Sequence, residues 1–283
     1  MVRVAAGWAL SSFIGVCHLL AAQGDSAQKV AAPIPAPRGM LSLELSDAKL
    51  SAALFAAAVD RTPENLEAIA VRYQQVGVLD KALDYYAQSL SSNPKGVTAL
   101  DGTARIWRDW GEMGPALGSA YRAVHYSPSS AAAWNTLGTI LQDVGDHRAA
   151  RKAYLKARTL DPSASYVATN MCYLAFVQGN VDGAFAECAM AVALDGSSAS
   201  ALNNLALVYA ATGNRRRAEE TFMRAGNQAA GHYNAGIVLM AERNYAAAAI
   251  AFERAARRKP GFYAALTMAA FARKRARAGG EGN

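Results

Sequence analysis

Cys172 and Cys188 are the residues whose type and spacing point most directly to chemistry. In an oxidising compartment two thiols close into a disulfide. In a packed core the same two side chains serve as small apolar fillers. Both readings fit the spacing. The third cysteine, Cys17, lies in an apolar N-terminal stretch. The remaining reactive groups do not converge. His18, His125, His147 and His232 are scattered. Asp143, Asp146 and His147 gather around Gly145, where a solvated turn explains them without a metal. Ser46-x2-Lys49 is a fragment of an acyl-transfer serine pattern whose companion motifs are missing. The sequence has no glycine-rich phosphate loop, no His-Glu-x2-His and no Cys-x2-Cys. We therefore expect no catalysis, no metal and no cofactor.

The elements that hold these residues follow a fixed period. Gly77, Gly111, Gly145, Gly179 and Gly213 are each 34 residues apart, as are Pro94, Pro128 and Pro162. Ala82, Ala116, Ala150, Ala184, Ala218 and Ala248 keep the same interval until the last, which is 30. Four residues are thus missing near Gly226–Ala230. Within one period, Trp134, Leu137, Gly138 and Leu141 fall on a single helical stripe. Gly145 sits where a helix ends in a left-handed cap. Ala150, Tyr154 and Ala157 line one face of a second helix, and Pro162 stops it. No such pair can bury its face alone, so the pairs must stack.

Trp134-x2-Leu137-Gly138-x2-Leu141 followed by Ala150, Tyr154, Ala157 and Pro162 resembles the tetratricopeptide repeat. The pattern recurs in 63–94, 97–128, 199–225 and 229–260, and most loosely in 165–196, where Cys172, Cys188 and Gly196 take signature places. The resemblance implies an all-α fold, a right-handed α-solenoid of about six helix pairs over 63–262. More loosely, the chain is similar to exported bacterial assembly factors of this family, such as those of tight-adherence pili. Ser46–Val59 reads as a flanking helix within 41–62, with Ser46 as its N-cap. Residues 263–283 read as a cap helix and basic tail, with Leu266, Ala269 and Ala270 turned toward the last pair.

The resemblance also implies a concave groove, lined by the first helix of each pair, for an extended peptide or helix of another protein. Its candidate residues are Arg105, Arg108 and Asn135 in a polar half, and Tyr166, Asn170, Tyr173, Phe176, Asn204, Tyr233 and Asn234 in a more aromatic half. For Tyr173 and Phe176, packing on a neighbouring helix is the competing reading. Asn170, Asn204 and Asn234 hold one place in consecutive units, and a row of amides there can pair with a partner's backbone.

Composition narrows the rest. Of 283 residues, 52% are hydrophobic and 18% charged, which excludes a largely disordered chain. The net charge of +7 sits at the C-terminal end, in Arg254, Arg257, Arg258, Lys259, Arg273, Lys274, Arg275 and Arg277. That makes a basic patch rather than a uniformly basic nucleic-acid binder. An anionic ligand or membrane surface on this patch is the alternative function. Residues 1–24 place one Arg before an apolar run that ends in small residues. This is the grammar of an export signal, with an uncleaved anchor or a lipid on Cys17 as alternatives. Pro33, Pro35 and Pro37 make 25–40 a stiff spacer. The expected location is the bacterial periplasm or envelope.

Overall fold

The computed structural model describes residues 46–226 and 228–280. The signal or anchor segment, Cys17, the proline spacer, the start of the flanking segment and residues 281–283 lie outside the described residues. Fourteen α-helices and no strand occur among the described residues. A flanking helix, α1 (Ala48–Val59), precedes the pairs α2 (Pro63–Gln75) with α3 (Leu79–Ser92), α4 (Val97–Asp109) with α5 (Met113–Tyr126), and α6 (Ala131–Asp143) with α7 (His147–Leu160). Three more pairs follow: α8 (Ser165–Val177) with α9 (Val181–Leu194), α10 (Ala199–Ala211) with α11 (Arg215–Arg224), and α12 (Gln228–Ala241) with α13 (Tyr245–Arg258). The last helix is α14 (Tyr263–Gly280). These are the all-α repeats that the period implies. They fall into two compact units, α1–α7 and α8–α14.

In the first unit the turn inside the third pair shows why the period carries a glycine. Gly145 has φ +85°, a left-handed conformation that costs a residue with a Cβ about 1–2 kcal/mol. The Asp146 amide donates to the Leu141 carbonyl at 2.9 Å and the Gly145 amide to Gln142 at 3.0 Å. Together they close the last turn of α6 in a Schellman motif. The Asp146 carboxylate then accepts from the Ala149 amide at 2.9 Å, so one residue ends a turn and starts α7. At the start of the unit the N-cap of α1 is Asp47 and not Ser46. Its carboxylate accepts from the Lys49 and Leu50 amides at 3.1 and 3.0 Å. A carboxylate also accepts from Arg72 of α2, which a serine hydroxyl could not match as an ion pair. That tie lets Leu50 bury completely in the cluster around Ile69 and Tyr73.

One contact within the pairs explains the small residues. A Cβ added to Gly138 of α6 would lie 2.5 Å from Cε1 of Tyr154 on α7, and one on Gly236 of α12 would lie 2.6 Å from Cε1 of Phe252 on α13. The ring lies flat where the side chain is absent. In α8 and α9, 34 residues after Gly138 and Tyr154, the same places hold Cys172 and Cys188. Their sulfurs are bonded, with Cα atoms 5.0 Å apart. Packed helix axes lie about 8–10 Å apart, but each Cα stands about 2.3 Å off its axis. Facing Cα atoms at the closest register are therefore within disulfide reach.

In the second unit, α11 has 10 residues where α9 and α13 have 14. This is where the four residues are missing. Arg243 takes the left-handed turn position with φ 59°, the one non-glycine residue with positive φ among the described residues. Tyr233 packs between Phe252 and Phe262, at ring distances of 5.3 and 5.1 Å. On α14 the buried stripe is Ala265, Ala269 and Ala272. Leu266 and Ala270 are exposed, contrary to the expected register. The first half of α14 is apolar on several faces, so periodicity does not choose among them. The smallest stripe wins because it lets α14 approach α13 most closely.

Candidate functional site

In the first unit, α2, α4 and α6 bring the expected polar residues together. Arg105 is exposed, and its Nε lies 3.2 Å from Asp101 Oδ2 one turn away. Burial pushes the Asp101 carboxyl up, while the Arg105 and Arg108 charges and a hydrogen bond with Thr136 act in the opposite direction. Arg108 joins two pairs. Its Nη1 donates to Thr139 Oγ1 of α6 at 3.0 Å, its Nη2 to Asp109 Oδ1 at 2.8 Å, and its Nε lies 3.8 Å from Asp143 Oδ2. Asn135 stands half-buried on α6. Two neighbours on this face are held from behind. Tyr86 Oη donates to Gln74 Oε1 at 3.0 Å and Tyr154 Oη to Gln142 Oε1 at 3.3 Å. Burial pushes the Tyr86 hydroxyl up to about 12 and raises that of Tyr154 as well, so both stay protonated donors at neutral pH.

In the second unit the expected aromatic residues separate. Tyr166 is exposed at the start of α8, with Asn170 and Tyr173 half-buried below it. Phe176 is buried in the cluster around the Cys172–Cys188 bond, and Tyr233 is buried between two rings. Neither presents its face to a partner. The amide row works within the protein. Asn204 Nδ2 donates to the Thr169 carbonyl at 3.2 Å and Asn234 Nδ2 to Asn203 Oδ1 at 3.3 Å, each joining consecutive first helices.

The basic residues are distributed over two helices and their junction. Arg257 and Arg258 border a hollow with His232 and Arg254. Lys259 lies over the Phe262 ring at 5.6 Å, and Arg275 over the Phe271 ring at 5.4 Å. Arg273 Nε is 3.4 Å from Glu253 Oε1, and Lys274, Arg275 and Arg277 are exposed. Among the described residues no group of three or more His, Cys, Asp or Glu side chains is placed to hold a metal. At the Gly145 turn Asp143 lies beside Arg108 and Asp146 caps α7. No helix among the described residues is long and apolar enough to cross a membrane. The sequence did not reveal a cavity between α11 and α13, lined in part by Phe222, His232 and Arg254.

Residues 135–199 and 199–225 each match a family model described as tetratricopeptide repeat. Solved structures agree in fold. A chain of the APC/C hetero-tetramer Cut9–Hcn1 aligns with a TM-score of 0.68 and 16% identity over 79% of this chain. This chain spans only 46% of that one. A tetratricopeptide repeat protein from Parabacteroides merdae aligns with a TM-score of 0.60 and 17% identity, covering 78% of this chain and 90% of its own. PilW, described as a widely conserved type IV pilus biogenesis factor, aligns with a TM-score of 0.61 and 20% identity, covering 70% and 94%. No curated protein matches the chain.

Proposed function

The chain belongs to the tetratricopeptide-repeat family, and from that premise we propose that it is a non-catalytic scaffold that binds an extended peptide or helix of another protein. The observation that carries this reading is the face formed by α4 and α6. There Arg105 stands exposed on α4 and Asn135 half-buried on α6, while Arg108 is braced by three oxygens from two helices. Braced, pre-oriented charges lose little freedom on binding, which favours recognition of a partner's carboxylates and backbone. Tyr166, with Asn170 and Tyr173 beneath it, offers a second contact in the other unit.

The same proposal places the protein outside the cytoplasm, in the periplasm or on the envelope, where a pilus or envelope complex is assembled. The export-like residues 1–24 support this. So does the Cys172–Cys188 bond, because disulfides persist in oxidising compartments. The structural likeness to PilW supports an assembly role. The test is crosslinking from intact cells with the full chain as bait. An R105E/Y166A variant that keeps the native circular dichroism spectrum should lose the captured partner at least tenfold. R273Q/K274Q/R275Q/R277Q should retain it. The reverse pattern would transfer the function to the basic patch.

A further inference from the structure

Helix α11 is the shortest of the second helices. Its 10 residues stop about one turn earlier than the 14 of α9 or α13. Gly226, at φ +89°, follows directly, and α12 starts at Gln228. Alongside the shortened helix lies a cavity of about 310 Å³ lined by residues of α10, α11, α12 and α13. Its walls include Ala218, Phe222, Ala235, Val238, Ile250 and Ala251. These six side chains offer hydrocarbon only, and the polar lining residues are Arg215, Glu219, His232, Glu242 and Arg254. The backbone groups behind them are hydrogen-bonded within their own helices.

The rim is charged. Arg215 and Glu242 face each other at 2.5 Å, and Arg254 lies 3.9 Å from Glu219. His232 and Arg254 belong both to this cavity and to the adjoining hollow, which Arg257 and Arg258 complete. Among the described residues Arg257 and Arg258 form no ion pair, so the mouth carries excess positive charge. Burial, and next the charge of Arg254, hold the His232 imidazole below its ordinary range, with Arg258 and Arg257 adding to the effect and Glu219 opposing it.

An apolar interior with a basic mouth selects a ligand that is hydrocarbon at one end and anionic at the other. A peptide C-terminus fits less well, because amides placed against the apolar side chains would find no partners, and an unpaired buried polar group is costly. A saturated chain needs no partners. An engineered cavity of about 150 Å³ holds a six-carbon benzene, so twice that volume suits roughly ten carbons. We propose that this cavity is a binding site for a single-chain anionic amphiphile, an acyl carboxylate whose tail lies between α11 and α13 and whose carboxylate meets Arg257 and Arg258.

Calorimetric titration of the full chain with hexanoate, octanoate and decanoate tests this. Each added methylene should tighten binding about fourfold. R257Q/R258Q changes exposed side chains and should leave the fold intact. It should weaken decanoate about tenfold, as loss of a charge-assisted contact does, and leave decanol unchanged. Ala235→Leu, which fills part of the cavity, should abolish the dependence on chain length. Equal affinity for all three acids, or equal weakening of decanoate and decanol, would overturn the proposal. So would no binding at millimolar decanoate, or tighter binding of a short peptide ending in leucine.

Discussion

Arg243 and Asp47 show what single side chains contribute. Arg243 holds φ 59° at a turn where earlier pairs place glycine, and a Cβ there costs about 1 kcal/mol or more. Arg243→Gly should therefore stabilise the second unit by about 1 kcal/mol, and Gly145→Ala should destabilise the first by at least that much. Urea unfolding followed by circular dichroism measures both. Asp47 acts through charge. Its hydrogen bonds with Arg72 and then with the Leu50 amide lower its carboxyl from 3.8 to about 2. A depressed carboxylate pKa contributes in full above the unfolded value and is lost as pH falls through the folded one. The contribution of Asp47 to docking α1 should thus be complete above pH 3.8 and be lost as the pH falls through about 2. Amide exchange in α1 reports it, and Asp47→Asn, which keeps a cap but loses the ion pair, should speed that exchange modestly at neutral pH and remove its pH dependence. Sequence reasoning chose Ser46 as the cap because serine and aspartate rank alike there. Only the position of Arg72 on the next helix separates them.

At the scale of elements, the helix pairs were legible because period, turn glycines and terminating prolines all repeat. Two things were not. On α14 the expected stripe was right at Ala269 and wrong at Leu266 and Ala270, which are as apolar as the Ala265 and Ala272 that packing selects. The cavity was invisible because a four-residue gap gives the length of a loop or helix but not what closes over it. The cysteine pair falls between these cases. Its level across the turn was readable, and its bonding distance required the closest register of the two helices. A closed loop of this size contributes about 3 kcal/mol in the chain-entropy estimate. Cys172→Ala with Cys188→Ala should lose about that amount. Cys172→Gly with Cys188→Tyr installs the residues that pair in α6 and α7, and it should recover part of the loss. Unfolding of the two double variants, compared with the reduced native chain, decides whether the disulfide and the ring serve the same contact.

Across the whole molecule, stability is a chain of neighbour contacts rather than one shared core. Within each unit the paired helices pack on each other, and most also touch the adjoining pair. Damage should therefore stay local. Reducing the Cys172–Cys188 bond should speed amide exchange in α8–α11 and leave α2–α5 as they were. Exchange measured by mass spectrometry before and after reduction tests this, and uniform acceleration throughout would contradict it. The polar face on α4 and α6 was largely readable from the repeat position of its residues. The loss of Phe176 and Tyr233 to the interior was not, because a ring on a first helix fits either a groove or the neighbouring pair. The bonded cysteines also bear on mechanics. A stack of helix pairs pulled from its ends lengthens as each pair pays out its chain. The disulfide shunts the load across a sequence separation of 16, so about 50 Å of slack stays locked at full extension. A stretched molecule should end that much shorter in oxidising buffer than in reducing buffer.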